Sequence, residues 1–138
     1  MDSINVHMAK NAKRRVKNKS KKKGKKPNKG QEKRCVDNFR HLGLSEVETP
    51  LGYIDLLTKD YLVEFKLYTG AKGALGQVLA YSHFIKRKHK MIVLFGKGLA
   101  TWKAYPVFER VCAEYDVQVY KLSASSHYSP LKKILGEK

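Results

Sequence analysis

The feature that most constrains this chain is a pair of alternating segments, residues 53–58 and 61–68, separated by Lys59-Asp60. Such a pattern reads as a β-hairpin. A symmetric loop centred on Lys59-Asp60 places Thr58 opposite Tyr61, Leu56 opposite Val63 and Asp55 opposite Glu64. Side chains alternate across a strand, so Ile54, Leu56, Val63, Phe65 and Leu67 share one apolar face, while Asp55, Glu64 and Lys66 gather on the other. A lone hairpin is marginal in water, so other elements must cover that apolar face.

The flanking sequence supplies them. Cys35, Val36, Phe39 and Leu42 recur at helical spacing before Gly43, which predicts a helix over residues 31–42. Residues 46–49 read as a strand ahead of the Pro50-Leu51-Gly52 turn. Residues 71–87 carry Leu75, Val78, Leu79 and Ile85 at helical spacing, and 91–95 is an apolar run of buried-strand type. Residues 107–115 predict another helix and 117–122 a last strand. The order αβββαβαβ predicts an α/β domain over residues 31–138, with a mixed sheet and helices on its faces. There is no internal repeat.

Charge divides the chain. Of its 138 residues, 29 are Lys or Arg and 12 Asp or Glu, a formal charge of +17. Residues 1–34 hold 14 of the basic residues against Asp2 and Glu32 alone, a net +12. Residues 1–30 therefore read as a lysine-rich arm with too little apolar surface to offset the entropy of ordering, disordered when free. Such an arm suits phosphate neutralisation, and Lys21, Lys22, Lys23, Lys25 and Lys26 are the expected nucleic-acid contacts. The same clusters are compatible with nuclear import, so an intracellular location, cytoplasmic or nuclear, is expected. No apolar run reaches the ~18 residues of a membrane span, and no secretory signal is evident. Cys35 and Cys112 form no CxxC pair and read as reduced core thiols.

The opposed Asp55 and Glu64 are a problem that a purely structural hairpin has no reason to create, because like charges ~5 Å apart weaken strand pairing. A divalent cation removes the penalty. Mg²⁺ or Mn²⁺ takes hard oxygen ligands, commonly one or two carboxylates with phosphate and water completing the shell. Lys66, two positions beyond Glu64, projects beside them. A cation here would polarise a phosphodiester and acidify a bound water, with the ammonium orienting that water or offsetting charge on phosphorus. The alternative is a cross-strand cluster in which Lys66 neutralises the two acids.

Gly52-Tyr53-Ile54-Asp55 followed by Glu64-Phe65-Lys66 in an αβββαβ order resembles the PD-(D/E)XK nuclease superfamily over residues 31–95, with Ile54 where the family name has proline. Gln77-Val78-Leu79-Ala80-Tyr81 resembles the QxxxY motif of several of its branches. The resemblance implies a restriction-endonuclease-like core, with Asp55 and Glu64 as metal ligands and Lys66 assisting the water. Gln77 and Tyr81, four residues apart on one helix face, would position substrate phosphate or the Glu-x-Lys side chains. Many members also use an acid from the first helix. Glu32 precedes Cys35, Val36 and Phe39 by three, four and seven and so faces inward, whereas Asp37 turns outward; Glu46 or Glu48 could serve instead.

Several signals carry less. Gly70, Gly73 and Gly76 match neither a P-loop nor GxGxxG, and the histidines and Ser123, Ser125 and Ser126 form no catalytic spacing. Residues 86–90, Lys-Arg-Lys-His-Lys, suit a solvated helix end or a phosphate contact equally; Trp102 and Tyr105 read as core. The leading expectation is a Mg²⁺- or Mn²⁺-dependent deoxyribonuclease, in recombination or repair, processing junctions or ends. The alternative is a non-catalytic nucleic-acid-binding protein that keeps the fold. Nucleic acid, DNA ahead of RNA, is the expected partner, with a homodimer open and no membrane.

Overall fold

The computed structural model describes residues 27–138. The arm lysines Lys21, Lys22, Lys23, Lys25 and Lys26, and the expectation of arm disorder, lie outside the described residues. The chain runs α1 (Pro27–Asp37), β1 (Leu44–Thr49), β2 (Gly52–Leu57), β3 (Tyr61–Leu67), α2 (Ala71–Phe84), β4 (His89–Phe95), α3 (Tyr105–Glu114), β5 (Val117–Lys121) and α4 (Tyr128–Ile134), with single 3₁₀ turns between several of these. The five strands form one sheet in the order β1-β2-β3-β4-β5. The pairs β1–β2 and β2–β3 are antiparallel, while β3–β4 and β4–β5 are parallel. An α/β domain with a mixed sheet flanked by helices is therefore what the chain forms.

Connection chirality explains the layers. Both parallel crossovers, β3-α2-β4 and β4-α3-β5, step one strand in the same direction, so the right-handed rule lays both helices on one face. The packing agrees: Ala74 and Val78 of α2 and Phe108 and Cys112 of α3 share one core cluster with Leu62, Ile92 and Leu94. The opposite face needs its own cover. Cys35, Val36 and Phe39 from the α1 segment and Leu131 and Leu135 from the α4 end bury Leu56, Val63, Phe65, Met91 and Val93. Both cysteines are free and buried.

Local chemistry sets the ends. The helix expected to reach residue 87 stops at Phe84, because Ile85 is extended at φ −129° and ψ 118°. That expected over residues 31–42 begins at Pro27, ends at Asp37 and gives way to a 3₁₀ turn at Arg40–Leu42. Thr49 makes the β1–β2 turn, its Oγ1 donating to the Gly52 carbonyl at 2.8 Å and accepting from the Leu51 N–H at 3.2 Å. Helix α4 has no counterpart in the sequence reading.

One facing expectation is corrected. Leu56, Val63, Phe65 and Leu67 pack on the α1/α4 side as the alternation requires, but Ile54 belongs to the core cluster under α2. The cause lies between Ile54 and Leu56. The β2–β3 ladder holds at Leu56↔Val63 and Leu57↔Leu62 and goes no further. Beyond Leu56 the strand is released from β3, though still paired to β1 through Val47↔Ile54.

Candidate functional site

Asp55 and Glu64 sit where that ladder stops. The register Leu56↔Val63 puts them in the next opposed positions, as the hairpin reading requires. Asp55 Oδ2 accepts the Phe65 N–H at 2.8 Å, so a side chain takes a ladder donor. Glu64 is buried, at 3 % exposure, and its Oε1 has no hydrogen-bond partner. Lys66 reaches across to α2, where Nζ donates to Gln77 Oε1 at 3.1 Å. A Cβ on Gly70 would lie 3.2 Å from Lys66 Cε, so the glycine leaves the lysine chain its room.

Tyr81 is buried in the core one turn beyond Gln77. Its hydroxyl packs onto β2 at Gly52, where a Cβ would lie 2.6 Å from Oη, and Gly52 has φ +142°. The structure thus brings Asp55, Glu64, Lys66, Gln77 and Tyr81 to one place between β2, β3 and α2. Glu32 on α1 is close enough that its charge acts on Asp55, Glu64 and Tyr81. Asp37 is exposed and pairs with Arg40. Glu46, at φ 51° on the exposed sheet edge, pairs with Arg40 at 3.4 Å, and Glu48 is exposed on the same strand.

The electrostatics follow from burial. Desolvation, then the charges of Asp55 and Glu32, push the Glu64 carboxyl far above the carboxylate range, with Lys66 opposing. Asp55 is also raised, by burial first; the Phe65 N–H and Lys66 hold it lower than Glu64. Both carboxyls are therefore raised, Glu64 more than Asp55, because Asp55 accepts the Phe65 N–H. Burial and the nearby Glu64 push the Tyr81 phenol up to about 12. Among the described residues, no group of three or more His, Cys, Asp or Glu side chains is placed to hold a metal ion.

A second feature lies at the hairpin tip. After α2 the chain returns beside the β2–β3 turn: Arg87 Nε donates to the Thr58 carbonyl at 2.7 Å and His89 N–H to the Asp60 carbonyl at 2.8 Å. Lys59, Lys86 and Lys88 are exposed at this pole. The sequence weighed residues 86–90 as a helix end; they instead lead into β4 against the hairpin, a placement that the parallel return to β3 requires. Trp102 and Tyr105 are half-buried against the α2/α3 core, Trp102 lying 5.5 Å from Tyr68 and 6.0 Å from Phe108 between ring centroids.

No family model matches the chain, and no solved structure matches it. Three proteins of Acanthamoeba polyphaga mimivirus, each named as a KilA-N domain-containing protein, are similar to it. One is 53% identical over 53 residues, 38% of this chain and 14% of its own length. The others are 38% identical over 78 residues and 40% over 77, each match covering 56% of this chain and, respectively, 21% and 30% of the relative. The chain thus spans less than a third of each relative it matches. These names overturn the resemblance to PD-(D/E)XK nucleases and, with it, the expectation of a Mg²⁺- or Mn²⁺-dependent deoxyribonuclease: the relatives are named for KilA-N domains. The physical reason is that the motif spacing also describes a splayed hairpin. An Asp that caps a Phe N–H, a Glu buried with its Oε1 unpartnered and a Lys bonded to a helix Gln produce the same letters. Among the described residues, no helix is long and apolar enough to cross a membrane.

Proposed function

We propose that the chain is a nucleic-acid-binding protein, acting on DNA, that holds its partner without cleaving it. The excess of 17 positive charges carries this reading, 12 of them in the first 34 residues. A charge of that size on so small a protein favours a polyanion partner and is larger than solubility requires. Exposed Lys59, Lys86 and Lys88 at the hairpin pole extend the cationic surface onto the folded domain. The relatives are named for KilA-N domains, and each match covers less than a third of the relative, so this chain's own charge remains the main support. In this reading Lys21, Lys22, Lys23, Lys25 and Lys26 contact phosphates.

The salt dependence of binding tests it. Each neutralised phosphate contributes roughly −0.9 to the slope of log K against log salt on duplex DNA. Removing residues 1–26 should flatten that slope by several units and weaken binding at low salt. An unchanged slope would remove the arm from the interface.

The unpartnered Glu64 Oε1 favours one addition, a divalent cation held by Asp55 and Glu64, with water completing its shell because, among the described residues, no third acid is placed to join them. The donor set fits Mg²⁺ or Mn²⁺, which use one or two carboxylates and keep several waters. Bound there, the cation would supply charge that displaces the Glu64 proton and attracts a phosphate. MgCl₂ should then raise the unfolding temperature of the native chain and leave Glu64→Gln unmoved; equal shifts would dismiss the site.

A further inference from the structure

Arg34 and Lys97 line a concavity of about 450 Å³ that is separate from both the hairpin site and the basic pole. One wall is the α1 segment, where Gln31 and Arg34 of the helix and Asn38, one residue past its end, stand at helical spacing. The rest follows the sheet: Gly96 and Lys97 leave the carboxyl end of β4, and Ser123 and Ser125 follow that of β5. Because β4 and β5 are adjacent and parallel, both exits open at the same end. Gly96 has φ +118°, and a Cβ there would lie 2.6 Å from Leu67 Cδ1, so the backbone of this loop is held close to the sheet.

The lining is chemically one-sided. It offers two cations, two carboxamides, two serine hydroxyls and the Tyr128 phenol, with Cys35, Phe95 and Leu122 between them, and no carboxylate. Among the described residues, the ion pairs of Asp37, Glu46, Asp116 and Glu137 run to Lys33, Arg40, Lys90 and His41, and none of them engages Arg34 or Lys97. A guanidinium and an ammonium beside hydroxyl and amide donors make a phosphate-binding set. The concavity is open, with Arg34 and Lys97 exposed at its rim, and its volume falls in the range of roughly 300–1,000 Å³ of small-molecule sites, more room than a bare anion needs.

We propose that this pocket takes a phosphate monoester carried on a nucleoside, namely the phosphorylated terminal nucleotide of a nucleic-acid strand. The source of the phosphate rests on the nucleic-acid reading above, since the pocket chemistry alone would also accept a free nucleoside monophosphate. Arg34 grips the phosphate oxygens in pairs, Lys97 adds charge from the β4 exit, and the serines and carboxamides complete the hydrogen bonds. The pocket therefore distinguishes a strand end from its interior, which the arm lysines, reading only backbone charge, do not.

The test uses the full chain with internally labelled single-stranded oligonucleotides, identical in sequence, that end in 5′-phosphate, 3′-phosphate or hydroxyl only. One phosphorylated end should bind about tenfold more tightly than hydroxyl ends, the scale of a charge-assisted pair. Arg34→Gln with Lys97→Gln should erase that preference. Lys132→Gln with Lys133→Gln, which removes the same charge from α4, should retain it. Equal affinity for all ends in the native chain, or a preference that survives Arg34→Gln with Lys97→Gln, overturns the proposal. If no oligonucleotide binds, the nucleic-acid reading fails, and an amide NMR titration with a nucleoside monophosphate judges the pocket separately. Shifts at Gly96, Lys97 and Ser123 that the double variant loses support a phosphate site fed by free nucleotide; their absence overturns it.

Discussion

Replacing Glu64 by Gln should change how the stability of this domain depends on pH, and the structure fixes the sign. An exposed glutamate ionises near 4.5, whereas burial and the neighbouring acids raise Glu64 in the fold to about 10. Between pH 5.5 and 8 the folded chain therefore keeps a proton on Glu64 that the unfolded chain has lost, and stability falls as pH rises. Asp55, raised to about 7, adds a slope of the same sign over the lower part of that window. Each such proton is worth at most about 1.4 kcal/mol per pH unit, so Glu64 alone accounts for an upper bound of about 3.5 kcal/mol across the window. That is a large share of the roughly 5–15 kcal/mol that holds a domain together. Gln keeps the shape and has no proton to lose. Urea unfolding followed by circular dichroism at several pH values, with chelator present, should show the native midpoint falling and the Glu64→Gln midpoint falling much less. Parallel slopes for the two proteins would refute the reasoning, since Glu64 would then be ionised in the fold.

Two further substitutions test the packing. Gly52→Ala adds a Cβ 2.6 Å from the Tyr81 hydroxyl at a φ of +142°, and should cost on the order of 2–3 kcal/mol in thermal unfolding. Tyr81→Phe in that background should recover only the part due to the clash, because the backbone strain remains. Leu131→Ala empties a fully buried position of α4 and should cost about 2–5 kcal/mol, whereas a nearly neutral result would mean that α4 does not close the sheet.

Much of the fold was legible because local patterns dominate it. Lys59-Asp60 centres the hairpin, so its register could be read from alternation alone, and the structure keeps Leu56 opposite Val63. The juxtaposition of Asp55, Glu64, Lys66, Gln77 and Tyr81 was legible for the same reason: two periodicities, two for the strand and 3.6 for the helix, each converge on one face. Ile54 was misread because alternation assumes a continuous ladder, and this one ends beside Asp55. Helix α4 escaped notice because Ser129 and Pro130 sit in its first turn and only Leu131, Ile134 and Leu135 mark an apolar side. It exists because both parallel crossovers put their helices on one face and leave the other short of cover. The pocket was invisible in sequence, since Arg34, Lys97 and Ser123 come from separate elements and meet only through the parallel order of β4 and β5. The nuclease expectation failed at a different level: the spacing of acids and lysine reports hairpin geometry, and the relatives that this chain matches are named for KilA-N domains, not as nucleases.

The central claim, binding without cleavage, is tested most directly by one measurement on the full chain. Linear duplex DNA, closed circular DNA and single strands are incubated with excess protein and MgCl₂ or MnCl₂ at low salt. Each is then assayed for complex formation and, after the protein is stripped away, for strand integrity. The account predicts retarded complexes that dissolve as salt rises and nucleic acid recovered at full length. Strand breaks made by the native chain and abolished by Glu64→Gln would contradict it.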